Sequence, residues 1–132
     1  MKSENIIQQK SFAFAIRIVK THKFLIEEKR EFILSKQMMR SGTSVGANVE
    51  ESIGAHSKAD FLWKLSIAYR EARETLYWLK LLKATNYLGE ETADSMLYEA
   101  EEICRIIGKI QITVKKGIAR GKITNGGITN YE

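Results

Sequence analysis

Glu71 and Glu74, and again Glu99 and Glu102, stand three residues apart, the spacing that sets two carboxylates on one face of a helix. Such pairs could hold a metal ion. In helical scaffolds, however, di-iron and di-manganese sites are completed by a histidine three residues after a glutamate. The chain has two histidines, His22 and His56, and neither follows a glutamate at that interval. The carboxylate pairs therefore read as solvated helix faces, and no metal or cofactor is expected. The single cysteine, Cys104, allows neither an internal disulfide nor a thiolate cluster, and its place in an apolar seam makes it a small core hydrophobe. The segment GKITNGG lacks the spacing and helix context of a phosphate-cradling loop. A Ser/His/Asp site cannot be argued from two scattered histidines. No enzymatic activity is expected.

Phosphate contact by basic side chains is the chemistry that remains. The net charge is +5, but it is unevenly placed. Residues 1–114 hold 17 Lys/Arg against 15 Asp/Glu, whereas residues 115–132 hold Lys115, Lys116, Arg120 and Lys122 against Glu132. Residues 1–40 carry nine basic and four acidic side chains, and residues 90–114 carry two and six. On a helical reading, Lys10, Arg17, Lys20 and Lys23 lie away from the apolar face of the first helix. A basic face plus a basic tail is a candidate nucleic-acid footprint. His22, on the apolar side, reads as a hydrogen-bonded core or interface residue.

The elements that must carry these groups are helices. There is no proline and no stretch alternating with period two. From about residue 3 to 27, Ile7, Ser11, Phe14, Ile18 and Leu25 form one line, with Ala15, Val19, His22 and Ile26 beside it. A second helix starts within residues 32–35 and runs to about Ala55. Ser57 and Asp60 form a capping box for the third, whose seam of Phe61, Leu65, Ala68, Ala72, Leu79 and Leu82 reaches about Asn86, with Gly89 as the stop. Glu90, Glu91 and Asp94 favour the positive end of a fourth helix. Its seam is Ala93, Leu97, Ala100, Cys104, Ile107, Gln111 and Val114, and Gly117 ends it. The expectation is an all-α, antiparallel up-down-up-down four-helix bundle over residues 1–116, with a flexible basic tail over 117–132. No apolar run is long enough to span a membrane, the N-terminus has no secretory pattern, and one cysteine suits a reducing cytoplasm.

The second helix is the unusual one. QMMRSGTSVGANVEES, residues 37–52, is rich in small residues, although each interior glycine costs a helix roughly 1 kcal/mol. Gln37, Ser41, Ser44, Asn48, Glu51 and Ala55 fall on one stripe, with Leu34, Met38, Val45 and Val49 beside it. Three uses compete: close packing within the chain with serines bonded back to their own helix, an oligomer interface whose register is set by Asn48 and Glu51, or a binding groove. Arg40 lies above Glu51 and could join it and Ser44 in one polar network. Leucine at Ser44 or Ala47 should overpack such a contact. Trp63, Arg70 and Tyr77 share a line on the third helix, where Arg70 could stack on an aromatic ring.

LSKQMMRSGTSVGANVEES followed by KADFLWKLSIAYREARETLYWLKLL resembles the four-helix-bundle proteins encoded by intervening sequences in bacterial large-subunit ribosomal RNA genes. The matching pattern is Gln37, Arg40, Ser41, Ser44, Ala47, Asn48 and Glu51, then Phe61, Leu65, Ala68, Glu71 and Glu74, within a likeness over about residues 10–115. The resemblance implies a bundle that assembles as a homopentamer without catalysis. The chain is also similar to accessory proteins of diversity-generating retroelements, which bind a reverse transcriptase and nucleic acid. Ser52 stands where many members have glycine, so the resemblance does not fix the loop after the second helix. The expected function is that of an oligomeric protein associated with RNA or an RNA-handling enzyme. The alternative is a protein-interaction scaffold in which basic and acidic helices pair with one another.

Overall fold

The computed structural model describes residues 2–124, with side chains for residues 6–121. They form four helices, α1 (Lys2–Glu27), α2 (Leu34–Ile53), α3 (Lys58–Ala84) and α4 (Glu90–Thr124), and no strand occurs among the described residues. Helix α1 packs on α2 and α4, and α3 packs on the same two. Along the seams, residue numbers rise on one helix as they fall on the other. Gln8 meets Glu50 and His22 meets Ser35; Ser41 meets Thr75 and Glu51 meets Lys64; Lys10 meets Glu102 and Thr21 meets Met96.

The expected inner line of α1 is buried throughout, from Ile7 to Leu25 and including Ser11. The line beside it is not: Val19 is exposed, and Ala15, His22 and Ile26 are half-buried. On α4, Ala93, Ala100, Cys104 and Ile107 are buried as the seam requires, while Leu97, Gln111 and Val114 lie at its edge. A second α4 line of Met96, Ile103 and Ile110 is buried as well. The helix has two neighbours, and one seam could not serve both.

Each connection is fixed by a different backbone device. Between α1 and α2, Arg30 takes a left-handed φ of 55°, and Glu31 N–H returns to the Leu25 carbonyl at 3.0 Å. The buried Glu31 carboxylate then accepts from three amides in the first turn of α2: Ile33 at 3.2 Å, Leu34 at 3.1 Å and Ser35 at 2.7 Å. It stands in for a side-chain cap that Ile33, at the N-cap position, cannot supply. Glu31→Ala is expected to cost about 2 kcal/mol, because three donors at a helix N-terminus lose an anionic acceptor. A lowered urea midpoint measures the loss, and Glu31→Gln, which keeps one acceptor oxygen, should recover part of it.

Ser57 caps α3 as the sequence implies, accepting from Asp60 N–H at 3.0 Å, while the Asp60 carboxylate accepts from His56 N–H at 3.4 Å. Gly89 is not the stop of α3. That helix ends at Ala84 with Asn86 in the left-handed region, φ 67°. Tyr87 N–H bonds the Leu82 carbonyl at 2.9 Å and Asn86 N–H bonds that of Lys83 at 3.1 Å, a Schellman pair with asparagine in glycine's usual place. Gly89 instead precedes α4, and its carbonyl accepts from Ala93 N–H. Gly117 does not end α4 either. The helix continues to Thr124, since an exposed glycine weakens a helix without breaking it and no proline intervenes. Residues 125–132, the remainder of the expected tail, lie outside the described residues.

Candidate functional site

The small residues of α2 serve two neighbours. Toward α1 stand Gly42 and Gly46, four residues apart and hence on one face. A β-carbon on Gly42 would lie 2.7 Å from Ile18 Cδ1, and one on Gly46 would lie 3.2 Å from the backbone carbonyl oxygen of Ser11. Glycine lets α1 approach to a distance at which any side chain would intrude. Toward α3 stands the polar stripe. Ser41 is buried, with its Oγ 2.8 Å from Thr75 Oγ1. Ser44 Oγ donates to the Arg40 carbonyl at 2.8 Å, Ser52 Oγ to that of Val49 at 2.6 Å, and Asn48 Nδ2 to that of Ser44 at 2.9 Å. These hydroxyls and this amide find acceptors on their own helix, so close packing leaves them satisfied. Among the described residues, no buried side-chain nitrogen or oxygen lacks a partner.

Arg40 and Glu51 do not share a network. Arg40 reaches across to Glu71 at 3.3 Å and to Glu74, and its Nε–H donates to Gln37. Glu74 also accepts from the Trp78 indole at 2.9 Å. Glu51 pairs with Lys64 at 2.9 Å, a bond that raises the Lys64 pKa above its ordinary value. Arg40 and Glu51 thus make two separate polar clasps onto α3, about three turns apart along α2, because each long side chain takes the nearest opposite charge on the neighbouring helix. Ala47, by contrast, is exposed and Ser44 only half-buried. Ala47→Leu should therefore leave the single chain's stability within about 0.5 kcal/mol of wild type, as for any open surface position. A larger loss in urea denaturation would show that Ala47 is covered in the folded protein.

The basic side chains divide into three sets. Lys10 and Arg17 turn toward α4, where they meet Glu102 at 3.1 Å and Glu99 at 2.9 Å; Arg17 also donates to Ser95 at 2.7 Å. These two spend their charge inside the chain. Lys20 and Lys23 are exposed near the end of α1, beside exposed Lys29, Arg30 and Lys36. Here the cations lie against exposed rings: Lys29 Nζ is 5.9 Å from the Phe24 centroid and the Arg30 guanidinium is 5.6 Å from that of Phe32. A cleft of about 370 Å³ lined by Arg17, Lys20, Thr21, Phe24, Leu88 and Thr92 opens at this end. Lys115, Lys116 and Arg120 are exposed at the far end of α4, roughly 30 Å away at 1.5 Å per residue. Lys122 lies in α4, outside the described side chains. The single basic face expected of α1 is thus two paired residues and one exposed terminal cluster. The loop residues Lys29, Arg30 and Phe32 were missed, although alternation of basic and aromatic residues signals them.

His22 fits its expected role, half-buried with Nδ1 3.2 Å from the Ser35 carbonyl, which requires the Nδ1–H tautomer. Arg70 lies 5.6 Å from the Trp63 centroid, and Tyr77 packs edge-on against Trp78 at 5.0 Å. Burial pushes the Cys104 thiol up, and nearby Arg73 opposes the shift. Among the described residues, no three His, Cys, Asp or Glu side chains gather as metal ligands, and no helix is long and apolar enough to cross a membrane.

Comparison with curated proteins gives no match. The chain is similar to a solved structure from Bacteroides thetaiotaomicron, described as a protein of unknown function from the S23 ribosomal protein family. The two are 47% identical, with a TM-score of 0.81, over 83% of this chain and 97% of that one. The family model for the 23S rRNA-intervening sequence protein matches residues 3–109, which include α2, α3 and both clasps between them. With that match over most of its length, the chain belongs to the 23S rRNA-intervening sequence protein family.

Proposed function

We propose that this chain is a non-enzymatic cytoplasmic protein, an antiparallel up-down-up-down four-helix bundle that self-associates and binds structured RNA or an RNA-handling enzyme. The observation that carries the reading is the basic and aromatic end formed by Lys20, Lys29, Arg30 and Lys36 around exposed Phe24 and Phe32. Phosphates are held by cations and unstacked bases by rings, and this cluster offers both. Opposed residue numbering along the helix seams supports the bundle topology. The exposed apolar residues of α1 support self-association, and a homopentamer is the assembly expected from the family resemblance. Multiplied around an oligomer, the basic ends would sum to a belt of positive potential.

A second reading, the protein-interaction scaffold, is favoured by the pairing of Lys10 and Arg17 with α4 carboxylates. Basic α1 and acidic α4 answer one another there without any nucleic acid. Gel-shift titration of the full chain with ribosomal RNA fragments across a salt series separates the two. RNA binding that weakens steeply as salt rises is expected; no binding at low salt would leave the scaffold as the better account.

A further inference from the structure

Helix α1 carries two apolar lines. Ile7, Ser11, Phe14, Ile18 and Leu25 face the interior, and Phe12, Ile16, Val19 and Ile26 recur outside at steps of four, three and seven. Phe12 is 68% exposed, Ile16 44% and Val19 37%. An apolar line left exposed beside a buried one is a face for a partner to cover. Beside the outer line, the glycine contact draws α2 close, and its outward residues there are the small Thr43 and Ala47. Charge brackets the line with opposite signs. Lys23 and Lys36 stand exposed at one end, and exposed Glu50, which accepts from Gln8 at 3.3 Å, stands at the other.

Helix α4 turns a second uncovered strip outward. Tyr98 is 62% exposed and Ile112 56%, with Arg105 held 5.8 Å from the Tyr98 centroid and Glu91 exposed two turns before Tyr98. Contacts within the chain set the levels of the two strips. Thr21 meets Met96 and Lys10 meets Glu102. Glu91 is therefore level with Lys23, Tyr98 with Ile16 and Val19, and Arg105 with Glu50. Copies related by rotation about an axis along the helices meet at equal levels. In such a contact acid meets base at both ends, and ring meets apolar line between them.

We propose that the outer line of α1 is covered by the α4 strip of a second copy, a heterologous contact repeated around a ring. The inference rests on the self-association proposed above and names the surfaces that carry it. Pairing of α1 with itself, antiparallel, would also set Lys23 against Glu50, but it would leave Tyr98 bare.

Sedimentation velocity of the full chain, with circular dichroism as the check on folding, tests this. Wild type is expected as a multiple of 15.1 kDa. Ile16→Glu and Tyr98→Asp should each give a 15.1 kDa species of unchanged helicity, since both side chains are exposed in the single chain. Lys23→Glu and Glu91→Lys should each weaken association about tenfold, and together they should restore it. An oligomer that survives both Ile16→Glu and Tyr98→Asp would overturn the contact while leaving self-association intact. Restoration by Lys23→Glu with Glu50→Lys instead would show α1 pairing with itself, and would also overturn it. A monomeric wild type would remove the self-association reading, and this contact with it.

Discussion

Gly42→Ala is expected to destabilise the protein by about 1–2 kcal/mol, although alanine is the better helix former. At an open helical site the change gains roughly 1 kcal/mol. Here the new β-carbon would lie 2.7 Å from both Cδ1 and Cγ1 of Ile18 and 2.9 Å from its Cγ2. Both Gly42 and Ile18 are buried, so the isoleucine must change rotamer within a filled core or α1 must move outward. Overpacking of this kind costs about 1–3 kcal/mol and outweighs the gain in propensity. Gly42→Leu should cost more, since no rotamer of Ile18 clears four added carbons. Urea denaturation reads the effect as a lowered midpoint. A cycle with Ile18→Ala identifies the cause: removing the three facing atoms should make Gly42→Ala less harmful, with a coupling of about 1 kcal/mol or more. If Gly42→Ala matches or exceeds wild type in stability, the close approach of α1 and α2 does not depend on glycine.

The second large effect concerns RNA and separates basic residues that look alike in sequence. Lys20→Gln, Lys29→Gln and Arg30→Gln combined should weaken binding of a ribosomal RNA fragment about tenfold or more near 100 mM salt. The slope of log affinity against log salt should also fall by about 2 units, for three lost phosphate contacts at most per subunit engaged. Lys10→Gln with Arg17→Gln removes nearly as much charge but should change RNA affinity less than about threefold. Glu102 and Glu99 already neutralise those cations, so few counterions are released there. Gel shift and filter binding at matched salt measure both variants. Equal losses from the two sets would mean that net charge alone governs binding. No loss from the first set would dismiss the basic end as the RNA surface.

The periodicity of the sequence was enough for the four helices and the inner line of α1, because burial on one side leaves a repeat of three and four residues. Ser57 was legible for a similar reason: a cap is a local bond between residues three apart. The polar composition of α2 announced close contacts, but not which neighbour each small residue serves. That required the two packing partners, which set Gly42 and Gly46 against α1 and Ser41 against α3. The turns were harder to read. Glycine suggested stops at Gly89 and Gly117, whereas Asn86 took the left-handed position and α4 continued past Gly117. Glycine permits a break, but only the bonds made by the following residues enforce one.

Charge shows the same division most clearly. The sequence counted Lys10, Arg17, Lys20 and Lys23 as one basic face, since nothing local distinguishes them. Only the tertiary structure decided that α4 lies along one side of α1 and brings Glu99 and Glu102 within reach of Arg17 and Lys10. A charge has a fixed sign in the sequence, but its availability depends on what the fold places within about 4 Å of it. The sequence by itself determined the helices and their inner faces. The packing of α1 between α2 and α4 decided which lysines and arginines remain open to a partner.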